Sequence, residues 1–163
     1  MTALAMGLAS LSIAGCNQPS HEPEQQEAAK PAETGIEGLF VAKAHLTMPT
    51  VAGNPAGLFF DLSYEGASEL VLESAAVAQS ESAMVHDVVE KNGMTQMVPL
   101  EKLTIKAGDQ VSFAPGGKHV MTMKLDETVA PGGKVDVTLA FTGGKIAKFT
   151  ADVLPAGEMK MEH

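Results

Sequence analysis

The chain has 163 residues, a formal net charge of −9, one cysteine and no tryptophan, which is enough to bury one hydrophobic core and no more. All eleven basic residues are lysine, so no arginine fork is available for phosphate or base-edge recognition, and nucleic acid is not an expected partner. The lone Cys16 leaves the folded region without a disulfide, a thiolate cage or a cysteine nucleophile, which excludes blue-copper, dinuclear copper and iron–sulfur chemistry there.

Residues 1–15, MTALAMGLASLSIAG, are small and apolar, too short to span a bilayer and suited to the core of an export signal. Ile13-Ala14-Gly15-Cys16 resembles the bacterial lipobox, which implies cleavage before Cys16 and acylation of that cysteine. Several acyl chains hold a protein to a membrane far better than one, each buried methylene adding about 0.8 kcal/mol. No basic residue precedes Lys30, whereas export signals open on positive charge, so the start of translation is expected upstream. Asn17, rather than aspartate, after the cysteine slightly favours an outer-membrane destination by the same resemblance. Residues 16–35 are rich in Gln, Glu, Pro and Ala without apolar periodicity and are expected to form a lipidated tether.

The folded domain is expected over 36–155. Apolar residues alternate with a period of two, predicting strands at 38–47, 57–65, 69–78, 83–90, 94–98, 102–106, 109–114, 118–124, 134–141 and 145–153. Turn signals separate them at Asn54-Pro55, Asn92-Gly93, Gly108-Asp109, Gly116-Gly117, Gly132-Gly133 and Gly143-Gly144. Many short strands punctuated in this way predict an all-β, Greek-key sandwich or barrel. After Pro155, residues 156–163 read AGEMKMEH and are expected to be a loose tail in which Met159, Met161 and His163 could catch a soft metal.

Asn92-Gly93 suits a two-residue type I′ turn, which would pair Lys91 with Met94 and Val88 with Met97. His86, two residues from Val88, then becomes a diagonal neighbour of Met97 on one face, roughly 7–8 Å away. His119 and Met121 are one residue apart and point the same way in a strand. If Gly116-Gly117 closes a hairpin, Phe113 lies opposite Val120, which sends Val111, Phe113 and Val120 to the core and His119 and Met121 to an outer, accessible face. The pentapeptide A-P-G-G-K occurs at 114–118 and again at 130–134. The second copy carries Val135 and Val137 in the places of His119 and Met121, which suggests that the turn-and-strand unit does not itself require the histidine and methionine.

Of ten methionines, five fall between Met84 and Met123 among two histidines. Thioethers are soft ligands that select Cu(I), and imidazole accepts it too, whereas Cu(II) prefers nitrogen and oxygen in a tetragonal array. His86, Met97, His119 and Met121 are therefore the expected Cu(I) ligands, with Met84, Met94 and Met123 as accessory donors. Asp87 adjoins His86 but points to the other strand face, and no serine is placed beside an exposed histidine, so no catalytic constellation is found.

The spacing His86-x10-Met97-x21-His119-x-Met121 matches the H-x10-M-x21-H-x-M pattern of the periplasmic PCu(A)C copper chaperones. Gly93 before Met97, Ile105-Lys106-Ala107-Gly108, and Pro115-Gly116-Gly117 ahead of His119-Val120-Met121 extend the resemblance over roughly 36–154. It implies a cupredoxin-like sandwich that binds Cu(I) at an exposed site and delivers it toward the copper A centre of cytochrome c oxidase, through subunit II or Sco-type proteins. His86 is followed here by Asp87-Val88 rather than the frequent Glu-Met, and Val98-Pro99 replace a common basic residue after Met97. Three functions follow as expectations: a Cu(I) chaperone of the periplasm or cell envelope, a copper buffer, and a structural lipoprotein with a vestigial site.

Overall fold

A computed structural model describes residues 32–157. Eleven strands carry them: β1 (Ala32–Glu33), β2 (Leu39–Thr47), β3 (Ala56–Tyr64), β4 (Leu70–Val77), β5 (Ser80–Lys91), β6 (Met94–Pro99), β7 (Leu103–Ile105), β8 (Gln110–Phe113), β9 (His119–Leu125), β10 (Lys134–Phe141) and β11 (Lys145–Leu154). Ten of them coincide with the expected strands to within about three residues. β1 falls inside the segment expected to be tether: Ala32 pairs with Val41 and Glu33 with Phe40, and Thr34 donates its hydroxyl to the Leu39 carbonyl at 2.9 Å. The ordered domain therefore begins earlier than residue 36. Among the described residues no helix is long and apolar enough to cross a membrane.

The hydrogen-bonded order is β6-β5-β9-β3-β2-β11-β10-β4-β7, with β8 also on β3 and β1 on β2. All pairs are antiparallel except β11 with β2. The sheet folds back on itself because both ends of this order bury residues in one core: Val85 of β5 and Val120 of β9 share it with Leu70 and Leu72 of β4 and Ile105 of β7. The all-β sandwich expected from the alternation is thus observed, with inward residues from each layer filling the space between. The chain passes from β4 to β5 at a corner tied to both layers, where Ala78 donates to the Asp136 carbonyl at 2.9 Å and Asp126 to that of Gln79 at 2.8 Å. Phe60 anchors the centre, stacked on Phe113 at 4.3 Å and edge-on to Phe149 at 5.3 Å between ring centroids.

The β5–β6 hairpin has the expected register, Lys91 with Met94 and Val88 with Met97. Asn92 and Gly93 both take positive φ, 55° and 74°, as a type I′ turn requires for its backbone to match strand twist. Gly93→Val should cost about 1–2 kcal/mol, the penalty for a side chain in left-handed backbone. A fall of a few degrees in the thermal unfolding midpoint would report it.

The loop at 114–118 differs from expectation. β8 and β9 do not form a hairpin with each other; both pair with β3, Phe113 with Phe60 and Val120 with Leu58. They run end to end along one edge of β3, and the Pro115-Gly116 turn, closed by Gly117 donating to the Ala114 carbonyl at 3.0 Å, is an excursion between them. The inward assignment of Phe113 and Val120 survives this change, at 1% and 0% exposure, because β3 supplies the phase that a hairpin would have supplied.

Candidate metal site

β5 lies between β6 and β9, and its outward side chains meet partners from both. His86 sits directly opposite His119, Met84 opposite Met121, and Ser82 opposite Met123. Directly opposed residues share a face, so two imidazoles and three thioethers line one short stretch of the outer face. Met97 joins them from β6, opposite Val88 and diagonal to His86. All four expected ligands are therefore brought onto one face. The His86 and His119 rings stack with centroids 5.9 Å apart and planes 21° from parallel.

The outer face is not an open one at the histidines. His86 and His119 are 7% and 8% exposed, whereas Met97 is 51% and Met84 48% exposed. Imidazoles form the floor and thioethers the rim. The face is open at Met97 and Met84, half-buried at Met121, and closed at the two histidines.

The chemistry of the floor suits a cation. Nδ1 of His119 lies 2.9 Å from the Gly117 carbonyl; a carbonyl only accepts, so Nδ1–H donates and Nε2 carries the lone pair. Such a bond fixes the ring orientation of a metal-ligating histidine. His86 buries Nδ1 with no hydrogen-bond partner, a state that costs about 1–3 kcal/mol and that a bound ion would relieve. Asp87 is on the other face of β5, where it pairs with Lys118 at 2.9 Å, so it is not among the residues lining the site.

Register also sorts the accessory residues. Met84 and Met123 share the histidine face. Met94 does not: it lies three residues from Met97 on β6, and its partner Lys91 lies five from His86 on β5, so the pair points to the opposite face. Met159, Met161, His163 and Cys16 lie outside the described residues.

The copies of A-P-G-G-K differ in a way the sequence conceals. Both turn at Pro-Gly, with Gly116 and Gly132 at φ 80° and 85°. Val135 and Val137 are nonetheless 1% exposed, pointing into the core, while the equivalent His119 and Met121 point outward. The strands leave identical turns one residue out of phase, so the second copy is not evidence about what the first requires.

Sequence reasoning missed a third histidine on this face. His45 pairs with Phe59, and the Phe59 ring lies between the two imidazoles, 5.5 Å from that of His45 and 6.2 Å from that of His119. His45 is 8% exposed; Nδ1 faces the Lys43 carbonyl at 2.8 Å, and Nε2 is buried without a partner. A β-bulge places it there. Ala42 pairs with Asp61 and His45 with Phe59, so β2 holds one extra residue, accommodated at Lys43 with φ 55°. Strict alternation from Val41 sends His45 inward. The signal was the switch of apolar phase from Leu39 and Val41 to Leu46, which needs an odd insertion between. Phe59 folds back over Gly57, where a Cβ would stand 2.7 Å from the ring, so the glycine makes room for the aromatic wall beside Met121.

Comparison with known proteins agrees with this architecture. The computed structure resembles the copper-bound PCuAC domain of PmoF2, with a TM-score of 0.62 and 17% identity over 77% of this chain and 98% of that one. It also resembles apo-DR1885 of Deinococcus radiodurans, at TM-score 0.54 and 22% identity over 95% and 100%, and its Cu(I) form, at 0.51 and 24% over 84% and 93%. These likenesses establish the PCuAC fold. In sequence, the chain is 29% identical over 118 residues, 72% of its length and 70% of the other, to a protein of Leifsonia xyli subsp. xyli described as "Putative lipoprotein Lxx21020". Residues 39–153 match the family described as "Putative lipoprotein LpqE-like", and the chain therefore belongs to the LpqE-like family.

Proposed function

We propose that this protein is a Cu(I) carrier of the cell envelope, holding the ion between His86, Met97, His119 and Met121. The observation that carries the reading is the directly opposed, buried pair His86 and His119, rings 5.9 Å apart, beneath thioethers on the same face. Imidazole with thioether selects Cu(I) over Zn²⁺ and Cu(II). The structural neighbours include domains described as copper-bound and CuI-bound, which supports the same ion.

The absence of a thiolate at the site argues for transport rather than electron transfer, because a reversible copper redox centre of the blue type needs one. Cys16 serves in this reading as the lipid attachment point after removal of residues 1–15, with residues from Cys16 toward β1 as tether. The family description and the Leifsonia protein's name both say lipoprotein. Delivery to the copper A centre of cytochrome c oxidase, directly or through Sco-type proteins, follows from the H-x10-M-x21-H-x-M resemblance.

Deleting the gene tests the destination. Oxidase activity should fall and recover with added copper. Copper sensitivity with normal oxidase activity would instead identify a buffer. Anaerobic titration of the purified protein with Cu(I) against a competing chelator tests the site itself, and failure to compete would remove the copper reading.

A further inference from the structure

We propose that Met84, Met121 and Met123 form a second, all-thioether soft-metal site beside the histidine pair, a landing station from which Cu(I) passes inward. The inference deepens the carrier reading through Met121, which both sites share; the thioether site itself requires neither histidine.

Three observations place it. Met84 and Met121 are direct cross-strand partners, and Met123 is the next outward residue on β9, diagonal to Met84. Opposed Cβ atoms are about 4.5–5.5 Å apart and diagonal backbone positions about 7–8 Å, distances that three flexible thioethers close around one ion. The cluster is also chemically uniform. Ser82, opposite Met123, is the only oxygen-bearing side chain in its two ladder pairs, and the nearest charges, Glu81 and Lys124, pair with each other at 2.7 Å from residues alternate to the methionines. Sulfur without carboxylate favours Cu(I) and Ag(I) and rejects hard ions. Finally, Met84 and Met123 are 48% and 37% exposed. An ion from solution meets them before it meets the covered histidines. Backbone at Lys124 turns to φ 50° directly after Met123, so the outward row of β9 stops at this group.

Transfer between the stations is ligand exchange at constant oxidation state. The ion gives up its bonds to the sulfurs of Met84 and Met123 and gains bonds to the imidazoles of His86 and His119, while Met121 stays attached. No electron moves, and neutral imidazoles release no proton. Met97, diagonal to His86 from the other side, completes the inner site and takes no part in the outer one.

Anaerobic Cu(I) titration of the full chain, with copper-edge X-ray absorption, tests this. Wild type should take up two equivalents, the second at least about tenfold weaker than the first because Met121 must then be shared between the two ions. Met84→Leu with Met123→Leu, which conserves volume, should lose the second and keep the first with nitrogen in its coordination shell. His86→Ala with His119→Ala should keep one equivalent whose shell is sulfur only. Uptake of a single equivalent by wild type overturns the proposal. So does a second equivalent that survives Met84→Leu/Met123→Leu or depends instead on Met159→Leu/Met161→Leu. If the histidine variant changes nothing while the methionine variant loses metal, the carrier site fails and the thioether site stands.

Discussion

Replacing His119 with alanine should lower Cu(I) affinity by about 100-fold or more, beyond the 10–100-fold lost when only an outer-shell partner of a metal ligand is removed. The ring is held by its Nδ1 bond to Gly117 and faces His86 at 5.9 Å, so its loss removes one of two nitrogen donors and exposes the other to water. Met121→Leu should do less, since Met84 lies directly across the ladder and offers a substitute sulfur. Chelator competition under anaerobic conditions measures both. An affinity for His119→Ala within threefold of wild type would show that the histidine pair does not hold the ion. Oxidation to Cu(II) should release the metal from the wild-type protein, because the thioethers do not suit the harder ion.

The second large effect concerns the fold. Phe60→Ala should destabilise the domain by about 3–5 kcal/mol, the usual range for truncating a buried phenylalanine. Phe60 is 1% exposed and touches aromatic neighbours from β8, which pairs with β3, and from β11, which lies beyond β2, so its ring is packed from two directions. A domain stability of about 5–15 kcal/mol makes this a substantial fraction, and the unfolding midpoint should fall by about 10–20 °C. Phe59, its neighbour in sequence, faces the proposed metal site instead, against His45 and His119. Phe59→Leu should leave the midpoint nearly unchanged, which separates the two roles of β3 by calorimetry.

The strands were legible because alternation and turn residues agree over most of the chain, and the β5–β6 hairpin because Asn92-Gly93 leaves its register no freedom. The His86–Met97 diagonal followed from that register alone. What escaped the sequence depends on pairing between distant segments. That β8 and β9 both lie on β3 is decided by partners 47 to 66 positions away. The direct opposition of His86 and His119 likewise needs β5 and β9 to be neighbours, which no local pattern states. His45 was hidden by a single extra residue in β2, and the burial of His86 and His119 by the pairing of β5 with β9 that sets their rings against each other. Met94 shows the reverse: its odd spacing from Met97 was readable and already placed it on the far side.

The excursion at 114–118 bears on how this domain can change over generations. Because β8 and β9 are each registered against β3 independently, a codon gained or lost between Ala114 and Lys118 is absorbed by the loop, and every side chain beyond it keeps its orientation. The same single-codon change inside 119–123 would put the residues on one side of it out of phase with the rest, turning some of His119, Met121 and Met123 inward and Val120 or Thr122 outward. Lineages descended from this chain should therefore vary in length at one place and stay fixed in length five residues later.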